Sequence, residues 1–78
     1  MPSQIEGKAM TIMSAIINDK IIVVNGRFIE GAKVFVSIAE NDKIKRIERT
    51  VKYDSKAGDL YIQFDGRKYF YSEFEIED

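Results

Sequence analysis

Alternation of apolar and polar positions is clearest in the last third of the chain, Leu60-Tyr61-Ile62-Gln63-Phe64-Asp65-Gly66-Arg67-Lys68-Tyr69-Phe70-Tyr71. Two runs rich in aromatic and branched side chains flank an Asp-Gly pair. Both residues of that pair reach positive φ at modest cost, so a two-residue type I′ turn fits and matches the twist of the strands beside it. The turn sets a register in which Phe64 faces Arg67, Ile62 faces Tyr69 and Leu60 faces Tyr71. Leu60, Ile62, Phe64, Tyr69 and Tyr71 then share one face; Tyr61, Gln63, Lys68 and Phe70 share the other. Upstream, Ile47, Arg49, Val51 and Tyr53 alternate along a long strand expected over Ile44 to Tyr53, with Arg46, Glu48, Thr50 and Lys52 opposite them. A turn from Asp54 to Asp59, with Gly58 supplying positive φ, sets Tyr53 against Leu60 and Val51 against Ile62. Downstream, Phe74 and Ile76 face away from Glu73, Glu75 and Glu77, the pattern of a short last strand or an edge.

The middle of the chain reads as strand as well. Ile21 to Val24 is a β-branched run. Asn25-Gly26 follows as a second type I′ signal, which pairs Val24 with Arg27, Val23 with Phe28 and Ile22 with Ile29. Glu30-Gly31 ends that arm or marks a bulge. From Ala32 to Ala39, Val34, Val36 and Ile38 lie opposite Lys33, Phe35 and Ser37, and Glu40-Asn41-Asp42-Lys43 is a polar turn.

The first nineteen residues break the pattern. Ser3 and Glu6 have capping-box spacing, and Ile5, Ala9, Ile12, Met13, Ile16 and Ile17 recur at the three- and four-residue steps of a helix face. Gly7 opposes a helix by about 1 kcal/mol, and Met10 to Ile17 also fits a strand with Met13, Ala15 and Ile17 on one side. A helix starting between Ser3 and Lys8 is the favoured expectation, with Asn18-Asp19 as a break and a loosely attached leader as the other option.

These elements predict one mainly β domain over residues 1–78, divided into an N-terminal helical or loosely attached segment (1–19) and a bent antiparallel meander (20–78). So short a meander must curl to cover itself, which points to an SH3-like barrel plugged by the helix. The alternative is an α+β sheet with one helix laid across it. A helix followed by five bent strands resembles, in topology, the Sm-like ring-forming proteins.

Composition narrows the chemistry. The chain has no Cys and no His, which removes disulfides, the common structural zinc sites and the usual general-base and nucleophile dyads. A domain of this size buries only about 60–65% of its unfolded surface, so it relies on its core, its turns or a partner subunit. Asp19, Asp42, Asp54, Asp59 and Asp65 fall where turns need them. Gly7-Lys8 lacks the Gly-rich lead of a phosphate loop, and Asp54, Ser55 and Asp59 lack calcium-loop spacing. The expectation is a non-enzymatic protein with no catalytic, cofactor or metal site. No run approaches the ~20 apolar residues of a membrane span, and the first lysine, Lys8, is not followed by a long apolar core. A cytoplasmic protein without membrane contact is expected.

Net charge is −1, from 12 basic and 13 acidic side chains, so no global field draws the chain to a polyanion. The charges are segregated, however. Lys43, Lys45, Arg46, Arg49 and Lys52 crowd one stretch, and Glu73, Glu75, Glu77 and Asp78 crowd the tail. The tail either meets a basic partner or folds against the chain's own basic strand. The outer face of the C-terminal hairpin is the expected partner-binding surface, with Tyr61 and Phe70 as anchors and Arg46, Lys52, Gln63 and Lys68 around them, Thr50 nearby. This predicts a protein-binding or adaptor module, with self-association reasonable. A nucleic-acid-binding protein using the same basic and aromatic surface is the alternative. Both readings fail at this surface if Tyr61 and Phe70 are buried.

Overall fold

A computed structural model describes residues 11–77. The chain forms β1 (Thr11–Ile17), β2 (Lys20–Gly26), β3 (Lys33–Glu40), β4 (Lys43–Thr50), β5 (Lys52–Asp54), β6 (Asp59–Phe64) and β7 (Arg67–Phe70), then a 3-10 turn (Tyr71–Glu73) and β8 (Glu75–Glu77). Two open sheets result, one in the order β4-β3-β2-β1-β8 and one in the order β5-β6-β7, with every pairing antiparallel. Three of the connections are two-residue turns whose central residues both have positive φ: Asn18-Asp19 (53° and 64°), Asn41-Asp42 (52° and 65°) and Asp65-Gly66 (51° and 75°). This is the backbone of a type I′ turn, which Asn, Asp and Gly tolerate best.

The β6–β7 hairpin has the expected register from Phe64↔Arg67 to Tyr61↔Phe70. The ladder stops there because Tyr71 opens the 3-10 turn, so Leu60 does not pair with Tyr71. The Asp54 to Asp59 turn also stands as expected, with Tyr53 opposite Leu60 and Gly58 at φ 68°.

Three expectations are corrected. Residues 11–17 are strand, not helix, and no helix of seven or more residues occurs among the described residues, which removes both the plugged barrel and the α+β alternative. The capping box at Ser3 and Glu6 and the leader lie outside the described residues. Asn18-Asp19 is the turn that folds Ile17 back onto Lys20. Asn25-Gly26, in contrast, does not turn: β2 runs through it, pairing Thr11 with Gly26 and Asn25 with Phe35. Gly26 has φ 139°, and a Cβ there would meet Val34 Cγ1 at 3.1 Å and Val34 Cα at 3.3 Å. The glycine serves a close approach of two strands rather than a reversal.

No closed barrel forms among the described residues, so the likeness to SH3-like barrels and Sm-like rings falls with it. Two physical causes are visible. At Val51 the chain leaves one sheet for the other: its N–H donates to Ala32 O and its carbonyl accepts from Gly31 N–H, at 2.8 and 2.9 Å, in place of a pairing with Ile62. The inward positions of β4 are Lys45, Ile47 and Arg49, opposite Ile38, Val36 and Val34. Two charges among three positions cannot enter an apolar interior, so β4 stays at the rim.

The core lies between the sheets. Met13, Ile22, Val24, Val34, Val36 and Ile38 from the larger sheet meet Ile62, Phe64 and Tyr69 from the smaller, with Val51 at the crossing. Phe64 and Tyr69 stack with ring centroids 4.2 Å apart. Phe28, in the connection between β2 and β3, is buried against Tyr71 and Phe74 at 5.4 and 6.3 Å. The tail thereby reaches the sheet edge, where β8 pairs with β1.

Candidate functional site

On the outer face of the three-stranded sheet, cross-strand pairing places Lys52, Tyr61 and Phe70 in one row and Gln63 beside Lys68 in the next. Tyr61 is only 9% exposed. The half-buried Phe70 ring lies 5.7 Å from it, and Lys68 Nζ sits 4.7 Å above it. Lys68 then reaches Asp54, donating to Oδ2 at 2.9 Å. Asp54 also holds its own turn: Oδ1 accepts the backbone N–H groups of Lys56 and Ala57, and its carbonyl accepts that of Gly58. The Lys68 ammonium, helped by the Ala57 and Lys56 amides, holds the Asp54 carboxyl below the usual carboxylate range, and Asp54 in turn raises Lys68. Tyr61 is thus the floor of a small ion-paired cap, not an open anchor.

Of the expected surface, the structure brings together Lys52, Tyr61, Gln63, Lys68 and Phe70 and leaves Arg46 apart. Arg46 lies on β4 in the other sheet, in a row with Ser37, Val23 and Ser14. The change of sheet at Val51 breaks the alternation that links Arg46 to Lys52 in the sequence. Lys52 and Gln63 instead line a shallow groove with Glu48, Arg49 and Thr50.

The basic stretch is divided in the same way. Lys45 Nζ approaches Asp65 at 3.4 Å, and Arg49 donates to the carbonyls of Gln63 and Glu48 at 3.0 and 2.8 Å. Arg46 points to the opposite side of the sheet beside Glu48. The acidic tail does not cover β4: β8 occupies the far edge, where Ser14 Oγ donates to Glu77 Oε2 at 2.6 Å. Glu73 is used locally, accepting from Arg67 Nη2 and from the Phe70 N–H, both at 2.9 Å.

A second surface lies on the five-stranded sheet, outside the expected one. The outward positions of the five-stranded sheet form rows: Ile16, Ile21, Ala39 and Ile44; then Glu75, Ser14, Val23, Ser37 and Arg46; then Glu77, Ile12, Asn25, Phe35 and Glu48. Ile16 is 77% exposed, Phe35 and Ile44 are each 61%, Ile21 is 49% and Ile12 is 46%. Val23 and Ala39 are half-buried between them. A signal for this face existed in the sequence. Reading Asn18-Asp19 as a type I′ turn pairs Ile16 with Ile21 and Ser14 with Val23, which leaves apolar side chains on both sides of β1 and β2.

Among the described residues, no three acidic side chains converge as a metal site requires, and no helix is long and apolar enough to cross a membrane. No known protein family matches the chain, and neither a curated protein nor a solved structure matches it.

Proposed function

We propose that this chain is a small non-enzymatic protein-binding module whose contact surface is the outward face of the five-stranded sheet. The observation that supports this is the run of exposed Ile16, Ile21 and Ile44, continued by Ile12 and Phe35. An antiparallel sheet with one face in water ordinarily presents polar side chains there. Covering a large apolar side chain fully is worth about 1.5–3 kcal/mol, so four partly exposed isoleucines and a phenylalanine form a strong drive for association. Arg46, Glu48, Glu75 and Glu77 at the two lateral edges supply the polar rim that interfaces carry around an apolar centre. The hairpin face supports the reading less, because Tyr61 is covered and Lys68 is paired. A nucleic-acid surface has less support again, because Lys45 and Arg49 face away from Arg46.

Photo-crosslinking tests the proposal. A photoreactive side chain is placed at Ile21 or, in a separate variant, at Gln63, and each protein is irradiated in native extract. Protein adducts at position 21 and few at position 63 are expected. Adducts confined to position 63, or none at either position, contradict the reading.

A further inference from the structure

We infer that the occupant of this face is a second copy of the same chain, seated sheet against sheet about a two-fold axis along β2. The inference rests on the contact-surface reading above and adds the partner's identity. β2 is the middle strand of five. A two-fold axis along it lays β4 of each copy over the partner's β8, β3 over the partner's β1, and β2 over itself. In the apolar row, Ile21 then meets the partner's Ile21, and the prominent Ile16 stands over the small, half-buried Ala39 of the partner subunit. Ile12 meets the partner's Phe35, and Val23 the partner's Val23. Every contact occurs twice, as a self-complementary interface requires.

Charge selects this axis over the other way of stacking the two sheets. On the outward face β4 presents Arg46 and Glu48, its other cations being turned inward, whereas β8 presents Glu75 and Glu77 and no cation. Turning about β2 keeps the two acidic β8 edges apart and sets Arg46 in the same row as the partner's Glu75 at both ends. An axis across the strands stacks β8 on β8 and so brings four carboxylates together. Edge-to-edge joining of two β4 strands, each with four cations and one anion, is opposed by repulsion as well, a common guard on exposed edges. One pair opposes the chosen arrangement: Glu48 stands in the row of the partner's Glu77. Ser14 draws the Glu77 carboxylate along its own chain at 2.6 Å, but the repulsion remains and makes a further expectation.

Sedimentation equilibrium of the purified full chain, from about 1 to about 300 µM, tests the inference. A monomer–dimer equilibrium is expected. Because each substitution acts twice, Arg46→Glu or Glu75→Arg alone weakens dimerisation about tenfold, and the two together restore it to within about threefold. Glu48→Lys tightens it. Ile21→Asp, which sets two carboxylates face to face on the axis, abolishes it while leaving the circular dichroism spectrum of the folded monomer unchanged. A wild-type chain that stays monomeric overturns the inference, and so do charge reversals that the double variant does not repair. In either case, crosslinks from position 21 to a protein of different mass leave the contact-surface reading standing.

Discussion

Asparagine and aspartate shape this protein from its turns. Asn18, Asp19, Asn41, Asp42 and Asp65 all have positive φ, a conformation their short polar side chains tolerate better than most. Gly26 carries a different constraint, because Val34 fills the space a Cβ needs. Gly26→Ala is expected to cost about 1–3 kcal/mol in urea unfolding, against about 1 kcal/mol for Gly58→Ala, whose Cβ meets nothing. Equal costs at the two sites would contradict the close approach. Asp54 gives a pH test. Its carboxyl is depressed, first by Lys68 and then by turn amides, so its stabilisation is complete above the unfolded value of about 3.9 and is lost as pH falls through the lower folded value. Asp54→Asn keeps an oxygen for the turn and removes only the charge. It should lower the melting temperature at neutral pH, with the difference from wild type closing as pH drops to about 2. A difference that persists in acid would show that the ion pair is not its source. The elevated Lys68 bounds the same pair at the alkaline end, where it is lost as pH rises through the raised value.

At the scale of elements, the C-terminal three strands were legible because each has one apolar and one polar face. Tyr53, Leu60, Ile62, Phe64 and Tyr69 alternate with Lys52, Gln63 and Lys68, and Tyr61 and Phe70 are the exceptions. β1 was obscured for the opposite reason. Its outward positions Ile12 and Ile16 are as apolar as its inward Met13 and Ile17, so the two-residue period vanishes and 12, 13, 16 and 17 imitate a helix. Asn25-Gly26 misled because the same dipeptide serves either a reversal or a close approach, and only the position of Val34 decides. The expected surface lost Arg46 through a single residue, Val51, whose hydrogen bonds to the connection between β2 and β3 carry the chain into the other sheet. Adjacent residues test the assignment of faces. Ile22 is fully buried and Ile21 is half exposed. In dilute protein, Ile22→Ala is expected to cost about 2–5 kcal/mol of folding stability, and Ile21→Ala no more than about 0.5 kcal/mol. Similar losses at both positions would mean that the register of β2 is wrong.

For the whole molecule, two open sheets bury one face of each against the other and leave two outer faces. The smaller sheet closes its outer face with Lys68, Asp54 and Phe70 over Tyr61. The larger sheet does not: its outward isoleucines lie open between Arg46 and Glu48 of β4 and the acidic edge of β8. A domain without disulfides gains stability from association at such a face, which is the role proposed above for its outward isoleucines. Isoleucine is itself the reporter. Ile12, Ile16, Ile21 and Ile44 line the outward face, Ile22, Ile38 and Ile62 the core, and Ile29 and Ile76 are exposed elsewhere. The most direct measurement is an isoleucine-methyl NMR spectrum with a soluble paramagnetic probe, recorded at low and at high protein concentration. In dilute solution the probe should broaden Ile12, Ile16, Ile21, Ile44, Ile29 and Ile76 and spare Ile22, Ile38 and Ile62. On concentration, Ile12, Ile16 and Ile21 should become protected while Ile29 and Ile76 stay open. Equal broadening of Ile21 and Ile22, or protection that appears at Ile29 and Ile76 instead, would contradict the account.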